Sequence, residues 1–262
     1  MEIHNVVFSY DKKTDQLKGV SGSVPKGKIT TIIGPNGCGK STLLGVMSGN
    51  HLPGGGQAVL DGKAIHHYKP KELARKLAVV HQQNGAPSDM TVERLVAYGR
   101  MPYRTMFGGD REEDERAVDW ALSCTNLEAK RKLPIDRLSG GERQRVWVAM
   151  ALAQKTPILF LDEPTTYLDI YYQLEMLEFI RELNRKHGLT IVMVLHDINQ
   201  AIRYSDKIIV MKDGRIVAAG EPEDVITERA IREIYGVEAI VRREPEAGLH
   251  GILTGIRPLV RP

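Results

Sequence analysis

Gly34-Pro35-Asn36-Gly37-Cys38-Gly39-Lys40-Ser41 sets three glycines, a lysine and a hydroxyl at the spacing of a loop that wraps phosphate. The glycines let backbone N–H groups turn inward, Lys40 reaches the β- and γ-phosphates of a nucleotide, and Ser41 offers an oxygen to Mg²⁺. A second group is Asp162-Glu163, two carboxylates that end the apolar run Ile158 to Leu161. At a strand end such neighbours can divide labour: Asp162 for the Mg²⁺ shell, Glu163 to orient or deprotonate a water. A third is Ser139-Gly140-Gly141, small residues that open a helix and make a second anion-binding terminus. Cys38 lies inside the phosphate loop, where Lys40 and a helix N-terminus are expected to favour its thiolate.

These groups need elements to hold them. A strand from Lys28 to Ile33 feeds the loop, and Ser41 to Ser48 has helical spacing after it. Before it, Ile3 to Tyr10 and Leu17 to Val24 read as an antiparallel pair. Gly54, Gly55 and Gly56 then break the chain ahead of a hairpin that turns at Asp61-Gly62. From Lys71 to about Arg131 the pattern is helical, with Thr91 capping Val92 to Gly99 and a second amphipathic run from Glu112 to Cys124. Between them, Arg100 to Asp110 reads as an ordered surface loop that exposes Met101, Tyr103, Met106 and Phe107 to a partner. From Gly140 the order is helix to Gln154, strand Ile158 to Leu161, helix Tyr171 to His187, strand Thr190 to Leu195 and helix Asn199 to Tyr204. Such alternation implies parallel strands covered by helices. An Asp213-Gly214 hairpin and a helical piece near Thr227 to Ile234 follow, and beyond Glu244 the pattern assigns little.

The bulk properties exclude several classes. At 262 residues with 42% hydrophobic and 26% charged residues, the chain has the composition of an ordinary folded protein. Its longest apolar stretches fall far short of the roughly 20 residues that cross a bilayer. Nothing at the N-terminus reads as a secretion signal, and two cysteines make no disulfide framework, so a reducing cytoplasm is expected. The net charge of +3 is spread among acids, which argues against nucleic acid as a partner.

A phosphate loop alone leaves kinases, GTPases and motors open. Leu138-Ser139-Gly140-Gly141-Glu142, shortly before the Asp162-Glu163 pair, resembles the signature of the ABC ATPases. In that family the signature presses on the γ-phosphate of ATP held by a second subunit. The rest of the family pattern follows in order to about Gly220. The resemblance implies that Tyr10 stacks on adenine and that Gly34 to Ser41 with Thr42 hold the phosphates. It implies that Gln82, with Gln83 as the alternative, contacts Mg²⁺ and faces the transporter partner. By the same resemblance Asp169 belongs to a loop crossing the dimer interface, and His196 is the switch histidine on the γ-phosphate.

The implied architecture is an α/β P-loop core with a mostly parallel sheet, an N-terminal antiparallel β subdomain and a helical insert at about residues 73–132. One ABC ATPase domain would span 1–243, with a tail at 244–262. A kinase fails on the signature, and soluble ABC proteins of DNA repair or translation usually carry zinc-binding or coiled-coil inserts, or two cassettes. The stretches Thr91 to Tyr103, Glu163 to Ile170 and Leu195 to Asp206 are similar to ATPases of bacterial iron-siderophore, haem and vitamin B12 importers, most of all the siderophore members. The resemblance thus implies a head-to-tail homodimer using ATP and Mg²⁺. It would sit peripherally on the cytoplasmic membrane face, bound to permease subunits and served indirectly by an extracytoplasmic solute-binding protein.

Overall fold

The computed structural model describes residues 1–105, 110–246 and 248–256. The chain forms two compact units, one built from Met1–Ile65 together with the described chain from Val192, the other from His66–Ile191.

In the first unit β1 (Glu2–Phe8) pairs antiparallel with β2 (Leu17–Ser23), as the alternation predicts. The strand β3 (Ile29–Ile33) is buried at every residue. All five of its residues are Ile or Thr with side chains on both faces covered, the pattern of a parallel strand. It runs into the phosphate loop and α1 (Lys40–Met47). Next come β4 (Gly55–Leu60) and β5 (Lys63–Ala64), joined at Asp61 and Gly62 with φ of 50° and 75°, the double left-handed turn that matches strand twist. These strands complete a four-stranded sheet in the order β2-β1-β4-β5.

The second unit opens with α2 (Pro70–Leu73) and β6 (Leu77–Val80). This strand corrects the reading of Lys71 to Arg131 as helical throughout. Four apolar residues carry no period that separates strand from helix, and the choice is made by pairing: β6 runs parallel to β7 (Ile158–Asp162), from Leu77 opposite Ile158 to Val80 opposite Leu161. Between them lie α3 (Val92–Ala97), a 3₁₀ stretch Tyr98–Tyr103, α4 (Arg111–Cys124) and α5 (Gly140–Ala153). Asp110 caps α4 by accepting from the Glu113 N–H, and three acids fill its first turn, where the helix dipole favours them. After β7, α6 (Ile170–His187) ends at Gly188 with φ 65°. The strand β8 (Thr190–Val194) begins at the end of this unit and carries the chain into the first.

Back in the first unit, the Leu195 N–H donates to the Ile32 carbonyl of β3, and α7 (Ile198–Tyr204) follows. Then β9 (Lys207–Lys212) pairs parallel with β3 and antiparallel with β10 (Arg215–Gly220) around Asp213-Gly214. Two short helices, α8 (Pro222–Val225) and α9 (Glu228–Tyr235), precede an antiparallel hairpin of β11 (Val237–Glu244) and β12 (Gly248–Ile256). The hairpin is where sequence reading ran out. Asn199 on α7 holds it, its side chain donating to the Gly251 carbonyl at 3.1 Å and accepting from the Gly251 N–H at 2.8 Å.

Candidate functional site

The phosphate loop sits between β3 and α1 with a backbone that only glycine tolerates at two points. At Gly34 (φ 151°) an added Cβ would come 2.1 Å from the Met211 carbonyl oxygen. Gly39 (φ 101°) is the left-handed residue from which α1 starts. Lys40 is buried, and its ammonium donates to the carbonyls of Gly34 at 2.9 Å and Pro35 at 3.1 Å, which holds the charge over the loop. Asn36 and Gly37 are exposed at the loop tip, and Thr42 is buried one residue after Ser41.

Cys38 reverses its expectation. Its thiol is 5% exposed, and burial pushes it above the ordinary thiol value against the pull of Lys40. Desolvation of a thiolate outweighs the nearby positive charge. Tyr10, just past β1, is 62% exposed and turns its hydroxyl towards α1, 3.2 Å from the Thr42 hydroxyl and 3.3 Å from His51 Nε2. His196 stands exposed in this unit, one residue before Asp197, which caps α7 by accepting from the Gln200 N–H.

In the second unit Asp162 ends β7 and is buried. Glu163 follows with φ 52°, a left-handed backbone that costs a side-chain-bearing residue roughly 1–2 kcal/mol and recurs at functional sites. Two donors meet on its Oε2: the Gln82 side-chain amide at 2.6 Å and the Thr166 hydroxyl at 2.9 Å. Gln82 thus lies against the strand-end carboxylate. Thr166 escaped the sequence reading, although a hydroxyl three residues past a carboxylate in a turn is a usable signal.

Ser139 caps α5 in a reciprocal box with Glu142: the Glu142 N–H donates to Ser139 Oγ at 3.3 Å and the Ser139 N–H to Glu142 Oε2 at 3.0 Å. Lys130 also binds Glu142, and that hydrogen bond, with the Ser139 N–H, holds its carboxyl below the usual range. Glu142 therefore orders the signature. A Cβ on Gly141 would lie 3.3 Å from the Tyr172 ring, so the start of α5 runs beside the start of α6. There Asp169 accepts from the Tyr172 N–H at 3.2 Å as the α6 cap. Among the described residues no three His, Cys, Asp or Glu side chains gather as a metal-binding group.

The partner loop is corrected in part. Met101 is 53% exposed, but Tyr103 is half-buried: its hydroxyl donates to the Gln154 carbonyl at 2.9 Å, and its ring meets the guanidinium groups of Arg100 and Arg75. Met106 and Phe107 lie outside the described residues.

A parallel strand, a glycine-cradled lysine loop with its helix, and a second parallel strand ending in two carboxylates define a P-loop nucleotide-binding protein. Comparison narrows this: the family model described as ABC transporter matches residues 17–166. The ferric enterobactin transport ATP-binding protein FepC of Escherichia coli (strain K12) is 48% identical, over 93% of this chain and 89% of its own. The iron(3+)-hydroxamate import ATP-binding protein FhuC of Bacillus subtilis (strain 168) is 46% identical, over 88% of this chain and 86% of its own. The chain belongs to the ABC transporter ATP-binding proteins and is an ATPase.

Solved structures agree on the fold. A putative metal-chelate type ABC transporter in an inward-facing conformation superposes with TM-score 0.84 at 24% identity, covering 98% of this chain and 97% of that one. The dimeric bacterial ABC transporter cassette MJ0796 does so with TM-score 0.73 at 30% identity, covering 84% and 98%.

Proposed function

We propose that this ATPase drives import of an iron(III)-siderophore. The carrying observation is the agreement of the relatives, whose names specify ferric enterobactin, petrobactin and iron(3+)-hydroxamate transport, at 46–48% identity over most of both chains. The chain works as a homodimer on membrane permease subunits, peripheral to the cytoplasmic membrane face, and an extracytoplasmic binding protein delivers the chelate. Among the described residues no helix is long and apolar enough to cross a membrane, which leaves the path itself to the permease.

For hydrolysis, Gly34 to Ser41 and Thr42 bind the triphosphate, Lys40 turning from the Gly34 and Pro35 carbonyls to phosphate oxygens. Glu163, oriented by Gln82 and Thr166, accepts the proton of the attacking water. His196 donates to the γ-phosphate. The donors suit Mg²⁺, which favours a hydroxyl and a carboxylate completed by phosphate oxygens over a cage of side chains. Ser41 and Asp162 would hold it, with Gln82 contacting it, and it would neutralise charge on the β- and γ-phosphates.

Ser139, Gly140, Gly141 and Glu142 face the ATP of the second copy, and Asp169 lies on the same interface. An apolar cluster beside them supports that pairing: Tyr167, Ile170 and Tyr171 are 85%, 77% and 69% exposed around the start of α6. The test is uptake in a strain lacking this gene. Transport of radiolabelled ferric siderophore should fall to background and return with the wild-type gene. Loss of haem or vitamin B12 uptake instead would overturn the substrate class, and no transport defect at all would favour a non-transport ATPase.

A further inference from the structure

Tyr10 is exposed, so packing alone does not fix the orientation of its ring. What fixes it is a set of contacts from α1 and the turn after it. The imidazole of His51 stacks on Phe8 with centroids 5.0 Å apart and meets the Tyr10 ring edge-on at 5.4 Å. Phe8 meets Tyr10 edge-on from the strand side at 4.8 Å. His51 is itself seated on Gly45: its N–H donates to the Gly45 carbonyl at 3.0 Å, and a Cβ on Gly45 would come 2.3 Å from the imidazole Cδ2. Any larger residue at that point of α1 would expel the ring.

The hydrogen bonds run in one direction. His51 Nδ1 lies 3.1 Å from the Asn50 carbonyl oxygen, which can only accept, so the tautomer with its proton on Nδ1 satisfies this contact. Nε2 is then an acceptor, and the Tyr10 hydroxyl 3.3 Å away donates to it. With its one proton committed, the Tyr10 oxygen accepts from the Thr42 hydroxyl at 3.2 Å. The chain is Thr42 to Tyr10 to His51 to the Asn50 carbonyl. Thr42 stands next to Ser41 on the phosphate-loop helix, so one end of the chain is fixed to the phosphate cradle and the other to a ring seated on the same helix.

We propose that His51 is a positioning residue for the nucleotide base: it locks the Tyr10 ring so that a purine stacked on it stays in register with the phosphate loop. The proposal rests on the reading of Tyr10 as the base platform. An exposed ring already held in its bound orientation loses less freedom when the base arrives, which strengthens binding of the base without touching the phosphates.

The experiment compares MgATP with inorganic tripolyphosphate, which has the phosphates and no base, by calorimetry on the full chain. His51→Leu should weaken ATP binding about fivefold, the worth of one hydrogen bond, and Tyr10→Phe, which also loses the Thr42 bond, at least as much; both should raise KM for ATP, while tripolyphosphate binding stays at the wild-type value. The double variant should lose no more than Tyr10→Phe alone, because that variant already lacks the bond to His51. His51→Gln, whose amide oxygen can accept from the Tyr10 hydroxyl, should recover part of the loss and serves if the leucine variant fails to fold. Equal weakening of ATP and tripolyphosphate would mean that His51 only shapes the loop, and the proposal falls. If Tyr10→Ala weakens ATP binding while the His51 variants bind as wild type, the base platform stands without His51. If Tyr10→Ala binds ATP as wild type, the platform reading fails and the proposal with it.

Discussion

The Gln82 and Thr166 donors converge on a single oxygen of Glu163, above a left-handed backbone. Exchanging that carboxylate for an amide removes the base without disturbing the phosphate loop. Glu163→Gln should therefore bind ATP with near wild-type affinity while phosphate release slows about 10²–10⁴-fold, the usual worth of a positioned base. Steady-state hydrolysis beside a nucleotide-binding titration decides it, and a wild-type rate would remove Glu163 from catalysis.

At the same scale Cys38 shows where local sequence misleads. The loop motif, its lysine and its helix were legible because spacing alone encodes them. The burial of the thiol was not, because it depends on β9 chain more than 170 residues away, where Met211 closes on Gly34. A raised value leaves less thiolate at neutral pH than an ordinary cysteine has, so alkylation of Cys38 should be slow. Its rate should keep climbing as pH rises through the ordinary thiol range. Burial raises Cys124 as well, but that thiol is more exposed and should label first. Peptide mass spectrometry after brief labelling reads the order, and faster labelling of Cys38 at neutral pH would refute it.

Among elements, those with a full period or a turn signal were readable. The Asp61-Gly62 and Asp213-Gly214 hairpins and the helices α4, α5 and α6 lie within a residue or two of their expected limits. The strand β6 was not readable, since only its register with β7 makes it a strand, and β11 and β12 were missed because both are largely exposed, β11 charge-rich and β12 interrupted by glycines, so neither alternates cleanly. The loop read as a partner surface is partly a structural clamp. Arg100, 1% exposed, donates to Asp114 at 2.7 Å, Glu113 at 3.3 Å and the Ala153 carbonyl at 3.0 Å, tying the 3₁₀ stretch to α4 and α5. Arg100→Met would strand a carbonyl and a partly wet carboxylate. A loss of about 2–3 kcal/mol is expected, below the range for fully buried pairs because Asp114 keeps some water. Tyr103→Phe, losing the bond to Gln154, should cost about 1 kcal/mol. Urea unfolding measures both, and unchanged midpoints would return these residues to the surface.

For the whole molecule, the proposed working unit is two copies, and the signature must then act on the partner's nucleotide. Ser139 has a second role in its own chain as the cap of α5, so a single substitution there confounds folding with pairing. Two variants separate them. Ser139→Ala and Ser139→Arg both forfeit the cap, about 1 kcal/mol of helix stability, and should melt alike. Only Ser139→Arg sets a long cationic side chain where the partner's γ-phosphate has to approach. In a background of Glu163→Gln, which traps ATP, Ser139→Ala should still elute as a dimer on sizing with MgATP, whereas Ser139→Arg should stay monomeric. Both should bind ATP as monomers, since the phosphate loop is untouched. An ATP-dependent dimer of the arginine variant would rule out the head-to-tail sandwich, and loss of the dimer in both variants would trace the effect to the helix cap instead.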